Sequence, residues 1–220
     1  MIKIPKIVLC LLVVILSTFV MLFVAVRPAQ PFSLFPPTTE TTLGHSGDPI
    51  NIAFLGTRDE ITNTFLTAHW LIPDSVTATS TTHLITTSVL NASYPTAPVS
   101  NLYLFGRQQD LTFELPTDSV KTRHHVRLWE TTQSISGKTL WIGSASYDAG
   151  LELSGATSLP THHISPNVDG ERNFLVTSLK DTNLIQVVQN GHISYPTPWG
   201  FNGGGDWYFD DGIVRVLELK

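Results

Sequence analysis

A run of apolar residues from Ile7 to Val26, broken only by Cys10, Ser17 and Thr18, limits what the first part of this chain can become. A helix needs about 20 apolar residues to cross the hydrocarbon core of a bilayer, whereas the apolar core of a cleaved leader is about 7–15 residues long. The run has no polar face, and Arg27-Pro28 stands where a cleavable leader would carry its small-residue site. The sequence therefore predicts an uncleaved transmembrane anchor over residues 1–27. Lys3 and Lys6 precede the run and Arg27 alone follows it, so the positive-inside rule keeps the N-terminus in the cytoplasm and sends the rest across in a single pass. Residues 28–47 hold Pro28, Pro31, Pro36, Pro37 and a threonine cluster. That composition reads as an extended linker lifting a domain at 48–220 off the bilayer.

The 220-residue chain carries a net charge of −5, and its Lys and Arg form no basic stripe. Nucleic acid is thereby excluded as a partner, and the expected partners are the membrane, through the N-terminal helix, and other envelope proteins. The one cysteine, Cys10, lies in the apolar run, so the domain has neither disulfides nor thiolate-bound metal.

Within the domain, Ile50 to Leu55 reads as a strand. Thr57 and Glu60 have capping-box spacing, which predicts a helix with Ile61, Phe65 and Ala68 on its buried stripe, ending near Trp70 before Pro73. A second, amphipathic helix is expected around Leu84 to Leu90. Strand signals follow at Asn101 to Phe105, Leu111 to Leu115, His124 to Glu130 and Leu140 to Tyr147, with turn residues between them, which is the spacing of an antiparallel meander. Ser165-Pro166 predicts the cap and first position of another helix, with Val168, Leu175, Val176 and Leu179 facing the core. Leu184 to Val188 and Ile213 to Leu219 read as strands, and 195–211 as loop. The fold class is α+β: a mainly antiparallel sheet with about two to three helices on one face, preceded by one N-terminal transmembrane helix.

Several stretches together resemble the LssY C-terminal domain family. They are Gly56-Thr57-Arg58, Tyr94 to Ser100, Leu102 to Leu111, Arg123-His124-His125-Val126-Arg127, Leu140-Trp141-Ile142-Gly143, Thr161-His162-His163-Ile164 with Asp169 and Glu171-Arg172, and Asn202-Gly203-Gly204-Gly205-Asp206. The resemblance covers roughly residues 47 to 212. It implies a membrane-attached domain and brings no established activity. Some family members carry the domain behind lipid-phosphatase-like segments, which this chain lacks, so no phosphatase activity is carried over.

The densest ionisable stretch is Thr161 to Arg172, with Arg123 to Arg127 upstream and Asn202 to Asp206 downstream. Adjacent strand residues face opposite ways. His125 therefore goes with Arg123 and Arg127, the polar set, while His124 goes with Val126 and Leu128. Likewise His163 goes with Thr161 and Ser165, and His162 with Ile164. On this pattern His125 and His163 are the functional imidazoles, and His124 and His162 are core-side histidines satisfied by backbone groups; if the polar groups line a cleft cut into the core instead, the choice reverses. Asp169 and Glu171 complement the dipole of a first helical turn or join His125, His163 and Arg172 in catalysis. Arg172 shares a stripe with Val168, Leu175 and Val176, so it needs a carboxylate partner, for which Asp148 and Asp169 are the candidates.

Three functions can be built from these groups. The leading reading is a membrane-anchored envelope protein of the LssY C-terminal type that binds a polar or anionic ligand through a His/Arg/Asp cluster. Arg123, Arg127, Asn202, Gly204 and Asp206 would contact that ligand, and the glycines would form a backbone nest. The first alternative is a hydrolase of the phosphoester class using a divalent metal held by His125, His163, Asp148 and Asp169. The second is a non-catalytic interaction module of an envelope or secretion complex. The sequence contains no His-Glu-x-x-His, no Gly-x-Ser-x-Gly and no P-loop lysine. His163-Ile164-Ser165 matches half of a paired His-x-Ser phosphoesterase signature, but Val126-Arg127 after His125 breaks the other half.

Overall fold

The computed structural model describes residues 31–89, 94–119, 122–153, 160–194 and 197–220. The expected anchor at 1–27 lies outside them. Among the described residues no helix is long and apolar enough to cross a membrane. After a 3-10 turn at Pro31–Leu34 come β1 (Thr38–Glu40), β2 (Ser46–Pro49), β3 (Ile52–Leu55), α1 (Arg58–Thr67) and α2 (Ala78–Val89). Next are β4 (Tyr103–Leu104), β5 (Arg107–Gln108), β6 (Leu111–Pro116), β7 (Arg123–Ile135), β8 (Lys138–Leu153) and β9 (Pro160–Ile164). The chain closes with α3 (Val168–Lys180), β10 (Ile185–His192), β11 (Trp199–Phe201), β12 (Trp207–Phe209) and β13 (Ile213–Leu219).

The main sheet has the order β10-β13-β3-β8-β7-β6, with β9 added on β8. Its pairs are antiparallel except β13 with β3. The expected meander is β6-β7-β8. Period-two alternation gives the sheet two dry faces. Ile52, Phe54, Val126, Leu128, Trp141 and Leu217 meet Ile61 and Phe65 of α1 and Leu175, Val176 and Leu179 of α3. Ala53, Leu55, Trp129, Leu140, Ile142, Val214 and Val216 form the other face, with Phe32, Leu102 and Leu104 packed on it. The second layer there includes the small sheet β2-β1-β4-β5. The domain is therefore a sheet-dominated α+β fold in which α1 and α3 share one face.

Local chemistry explains the helix ends. Glu60 N donates to Thr57 Oγ1 at 3.2 Å and Thr57 N donates to Glu60 Oε2 at 2.7 Å, so the expected capping box starts α1. His69, at φ 64°, takes the left-handed conformation that stops it. Thr77 and Ser80 repeat the reciprocal cap before α2, with Ser80 N donating to Thr77 Oγ1 at 3.0 Å. That helix starts six residues earlier than expected, because the cap rather than the apolar stretch at Leu84 fixes its origin. For α3 the cap is Asn167, not Ser165, since Asn167 Oδ1 accepts from Gly170 N at 3.0 Å.

Three further expectations change. Only Tyr103–Leu104 of the stretch 101–105 is strand, and it joins the small sheet rather than the meander. The loop expected at 195–211 contains the antiparallel ribbon β11–β12, with Phe201 paired to Trp207. From Pro31 onward, the Pro/Thr-rich stretch expected as linker belongs to the domain. Phe32 is fully buried, and its ring lies where a Cβ on Gly191 of β10 would have to sit. Pro31 opens a 3-10 turn and Pro36-Pro37 lead into β1, so the prolines here shape a folded segment of turns and short strands.

If Phe32 is a structural plug, Phe32→Ala should cost about 3–5 kcal/mol in chemical denaturation of the full chain. A loose linker residue would change stability by no more than about 0.5 kcal/mol.

Candidate functional site

Alternation along β7 sends Arg123, His125 and Arg127 to the face away from α1 and α3, where all three are buried. Each meets a carboxylate from a different strand. Arg123 Nη1 donates to Glu114 Oε2 of β6 at 3.0 Å. His125 Nε2 lies 2.6 Å from Asp148 Oδ2 of β8. Arg127 Nη1 donates to Asp48 Oδ2 of β2 at 3.1 Å, and Ser146 Oγ donates to the same oxygen at 3.0 Å. Burial raises Glu114 to about 7 against the pull of Arg123. Burial likewise raises Asp48 above the usual carboxylate range, with Arg127 opposing it.

His124 points to the helical face. Its Nδ1 lies 3.0 and 2.8 Å from the two carboxylate oxygens of Glu171, and its ring stacks on Phe174 at 4.1 Å. The expectation of a histidine satisfied by backbone groups is thus corrected: the partner is the α3 carboxylate that reads from sequence as a dipole-complementing acid. The side chain of His162 lies outside the described part of the structure.

Arg172 is buried at the start of α3, as its stripe requires. Its Nη1 donates to Asp169 Oδ1 at 3.1 Å, to Asp211 Oδ1 at 2.7 Å and to the Ile213 carbonyl at 2.7 Å; its Nη2 donates to Asp211 Oδ2 at 3.0 Å. Of the two expected partners Asp169 is present, whereas Asp148 is engaged with His125. Burial lowers the Arg172 guanidinium, but the bonds to Asp211 and the charge of Asp169 outweigh that and hold it above its ordinary value. Asp169, Asp210 and Asp211 have ligand atoms within 4.8 Å of one another. Burial raises Asp210 to about 6. The positive charge that this acidic group calls for is already supplied by Arg172.

His163 is the most open of these imidazoles, with 36 % of its side chain exposed. Its Nδ1 bonds Asp206 Oδ1. The other Asp206 oxygen accepts from Ile164 N at 3.1 Å and from Asn202 Nδ2 at 3.2 Å. Asn202 Oδ1 in turn accepts from Gly204 N and Asp206 N, both at 2.9 Å. The amide groups expected to cradle an anion are thus taken up inside the loop, where they stiffen the carboxylate that orients His163.

The four expected metal ligands divide among three partnerships: His125 with Asp148, His163 with Asp206, and Asp169 with Arg172 and Asp211. Sequence reading missed Asp48, Glu114 and Asp211. Glu114 left a signal, because it lies directly opposite His125 and on the alternate phase from buried Phe113. Asp48 left none, being 79 residues from Arg127.

The class defined here is a sheet-dominated α+β domain with an imidazole–carboxylate pair at its surface. A family profile described as LssY C-terminus matches residues 32–214, most of the chain, and the chain belongs to that family. Comparison with curated proteins and with solved structures returns no match.

Two outcomes follow from the buried charges. Removing Arg172 as Arg172→Met strands three acids and should cost about 3–5 kcal/mol in denaturant titration. Glu114 rises from an ordinary 4.5 to about 7 on folding. Between those values the folded state keeps a proton that the unfolded chain has released, so this group's stabilising effect is full below 4.5 and is lost as pH rises through 7. Glu114→Gln should therefore flatten part of the decline in stability across that window; an unchanged slope would show that Glu114 titrates normally.

Proposed function

We propose that this chain is a membrane-anchored envelope protein with its domain outside the cytoplasm, and that it binds a polar ligand at the edge formed by His163 and Asp206. One observation carries the reading: a partly exposed imidazole is held at Nδ1 by a carboxylate that is itself fixed by a backbone amide and an asparagine. Such support sets the ring's orientation and strengthens it as a hydrogen-bond partner or proton carrier. Arg123, Arg127 and Arg172 act in this reading as counter-charges to Glu114, Asp48 and Asp211, so they organise the domain rather than contact an anion. The anchored topology rests on the apolar run at Ile7–Val26 and the lysines before it.

The reading is tested by titrating the full chain in lipid nanodiscs with a panel of phosphoesters, sugars and amino acids, following histidine ring resonances. A binding ligand should shift His163. His163→Ala and Asp206→Asn should each weaken binding by at least about tenfold, the loss of roughly one charge-assisted hydrogen bond, while the fold is kept. Stoichiometric zinc that leaves with His163→Ala would replace this reading with the metal-dependent hydrolase. Variants that bind every probe as well as the wild type would replace it with the interaction module.

A further inference from the structure

The ribbon β11–β12 presents an aromatic face. Trp199 pairs with Phe209, and Phe201 with Trp207. Residues opposite one another share a side of a strand pair, as do residues two apart. All four rings therefore leave from one side, where they are 54, 47, 55 and 57 % exposed respectively. Tyr208, on the other side, is buried with Ile164 and Val168 and fixes the ribbon to the domain. A contiguous exposed patch of this kind marks a surface that something else covers.

Its position narrows the choice. Gly203, in the ribbon's turn, sits where a Cβ would run into Thr41. Thr41 is nine residues after Phe32, so covalent geometry keeps the ribbon's turn within about 30 Å of that buried plug. Five residues, Arg27 to Pro31, separate Phe32 from Val26, the last residue of the apolar run. Fully extended, they reach about 20 Å. If Ile7–Val26 enters a bilayer, that reach bounds the distance of Phe32 from the acyl boundary. The two strands of the ribbon contain no charged residue; of the acids flanking them, Asp206 is bonded to His163, Asp210 is buried, and Asp211, which is exposed, is bonded to Arg172. Four half-exposed aromatic rings offer about 300–500 Å², short of the about 800 Å² per partner that a stable dimer uses. Tryptophan beside phenylalanine, on strands that hold no charged residue, suits the boundary between headgroups and acyl chains.

We infer that the face made by Trp199, Phe201, Trp207 and Phe209 docks on the neutral headgroup–acyl boundary of the bilayer that the chain's own N-terminal run enters. The inference rests on the anchored reading above. It turns the domain from a body swinging on a tether into one held at two points.

The test uses the full chain reconstituted in phosphatidylcholine vesicles. Flotation reads the anchor; quenching of tryptophan emission by bromine-labelled phosphatidylcholine reads the ribbon. Of the five tryptophans, Trp70, Trp129 and Trp141 are buried in the domain, so the lipid-sensitive signal is that of Trp199 and Trp207. The expected result is bromolipid quenching in a floating protein, lost in the double variant Trp199→Ser/Trp207→Ser with its unfolding temperature unchanged. Phe201→Ser/Phe209→Ser keeps both fluorophores and should reduce their bromolipid quenching severalfold and open them to aqueous iodide, still with flotation. A floating wild type that bromolipid does not quench, with both tryptophans open to iodide, overturns the inference and leaves the anchor standing. Unquenched emission whose shielding from iodide grows with the protein-to-lipid ratio assigns the face to a second copy and also overturns it. A chain that does not float removes the anchored reading, and the inference with it.

Discussion

Compensation of charge inside the sheet is the constraint on which the rest of this domain depends. The alternation that places Val126 and Leu128 under the helices must place Arg123, His125 and Arg127 on the opposite face, and that face is dry. A buried cation without a partner costs several kcal/mol, so three acids have to be delivered there from elsewhere. Glu114 comes from the neighbouring strand, Asp148 from the strand on the other side, and Asp48 from the small sheet. The β1–β2 hairpin is therefore part of the electrostatic design. Among the described residues, Arg127 donates otherwise to Ser100's carbonyl, which carries no charge to balance it.

The same logic distinguishes the histidines. His125 is enclosed and paired with Asp148; His124 is wedged between Glu171 and the Phe174 ring; His163 stands at the surface on Asp206. One type of contact serves three environments. Only the last is open enough for an outside molecule to approach, which is why the proposed ligand site is placed there and not among the arginines.

What could be read in advance was what depends on neighbours in sequence. The Thr57/Glu60 cap, the β6–β8 meander and the grouping of His125 with Arg123 and Arg127 follow from spacings of three residues, of about ten and of two. Alternation cannot say which face of a strand is wet, however, and here both faces of β7 are covered. That is why His124 proved to be the partner of Glu171 and why the polar set lies indoors. Nor does proline content distinguish a loose linker from a folded segment of turns and short strands; Phe32 settles the matter only through Gly191, which is far away in sequence. Arg172 illustrates the division well. Its stripe position required a carboxylate, Asp169 was close enough in sequence to be named, and Asp211 became visible only once the ribbon and β13 were folded back over α3.

The order of strands carries a temporal consequence. β13, residues 213–219, lies between β10 and β3, not at an edge. Its parallel pairing with β3 joins segments about as far apart as the domain allows, the kind of contact that forms slowly because a long loop must close first. Until Leu217 has emerged, Phe54 lacks its partner on one side and pairs with Trp141 of β8 alone. A chain synthesised from its N-terminus therefore spends nearly all of its synthesis with β3 and β10 unjoined, and closes its sheet in one late event. Any factor that protects the unfinished domain has to hold it until β13 arrives.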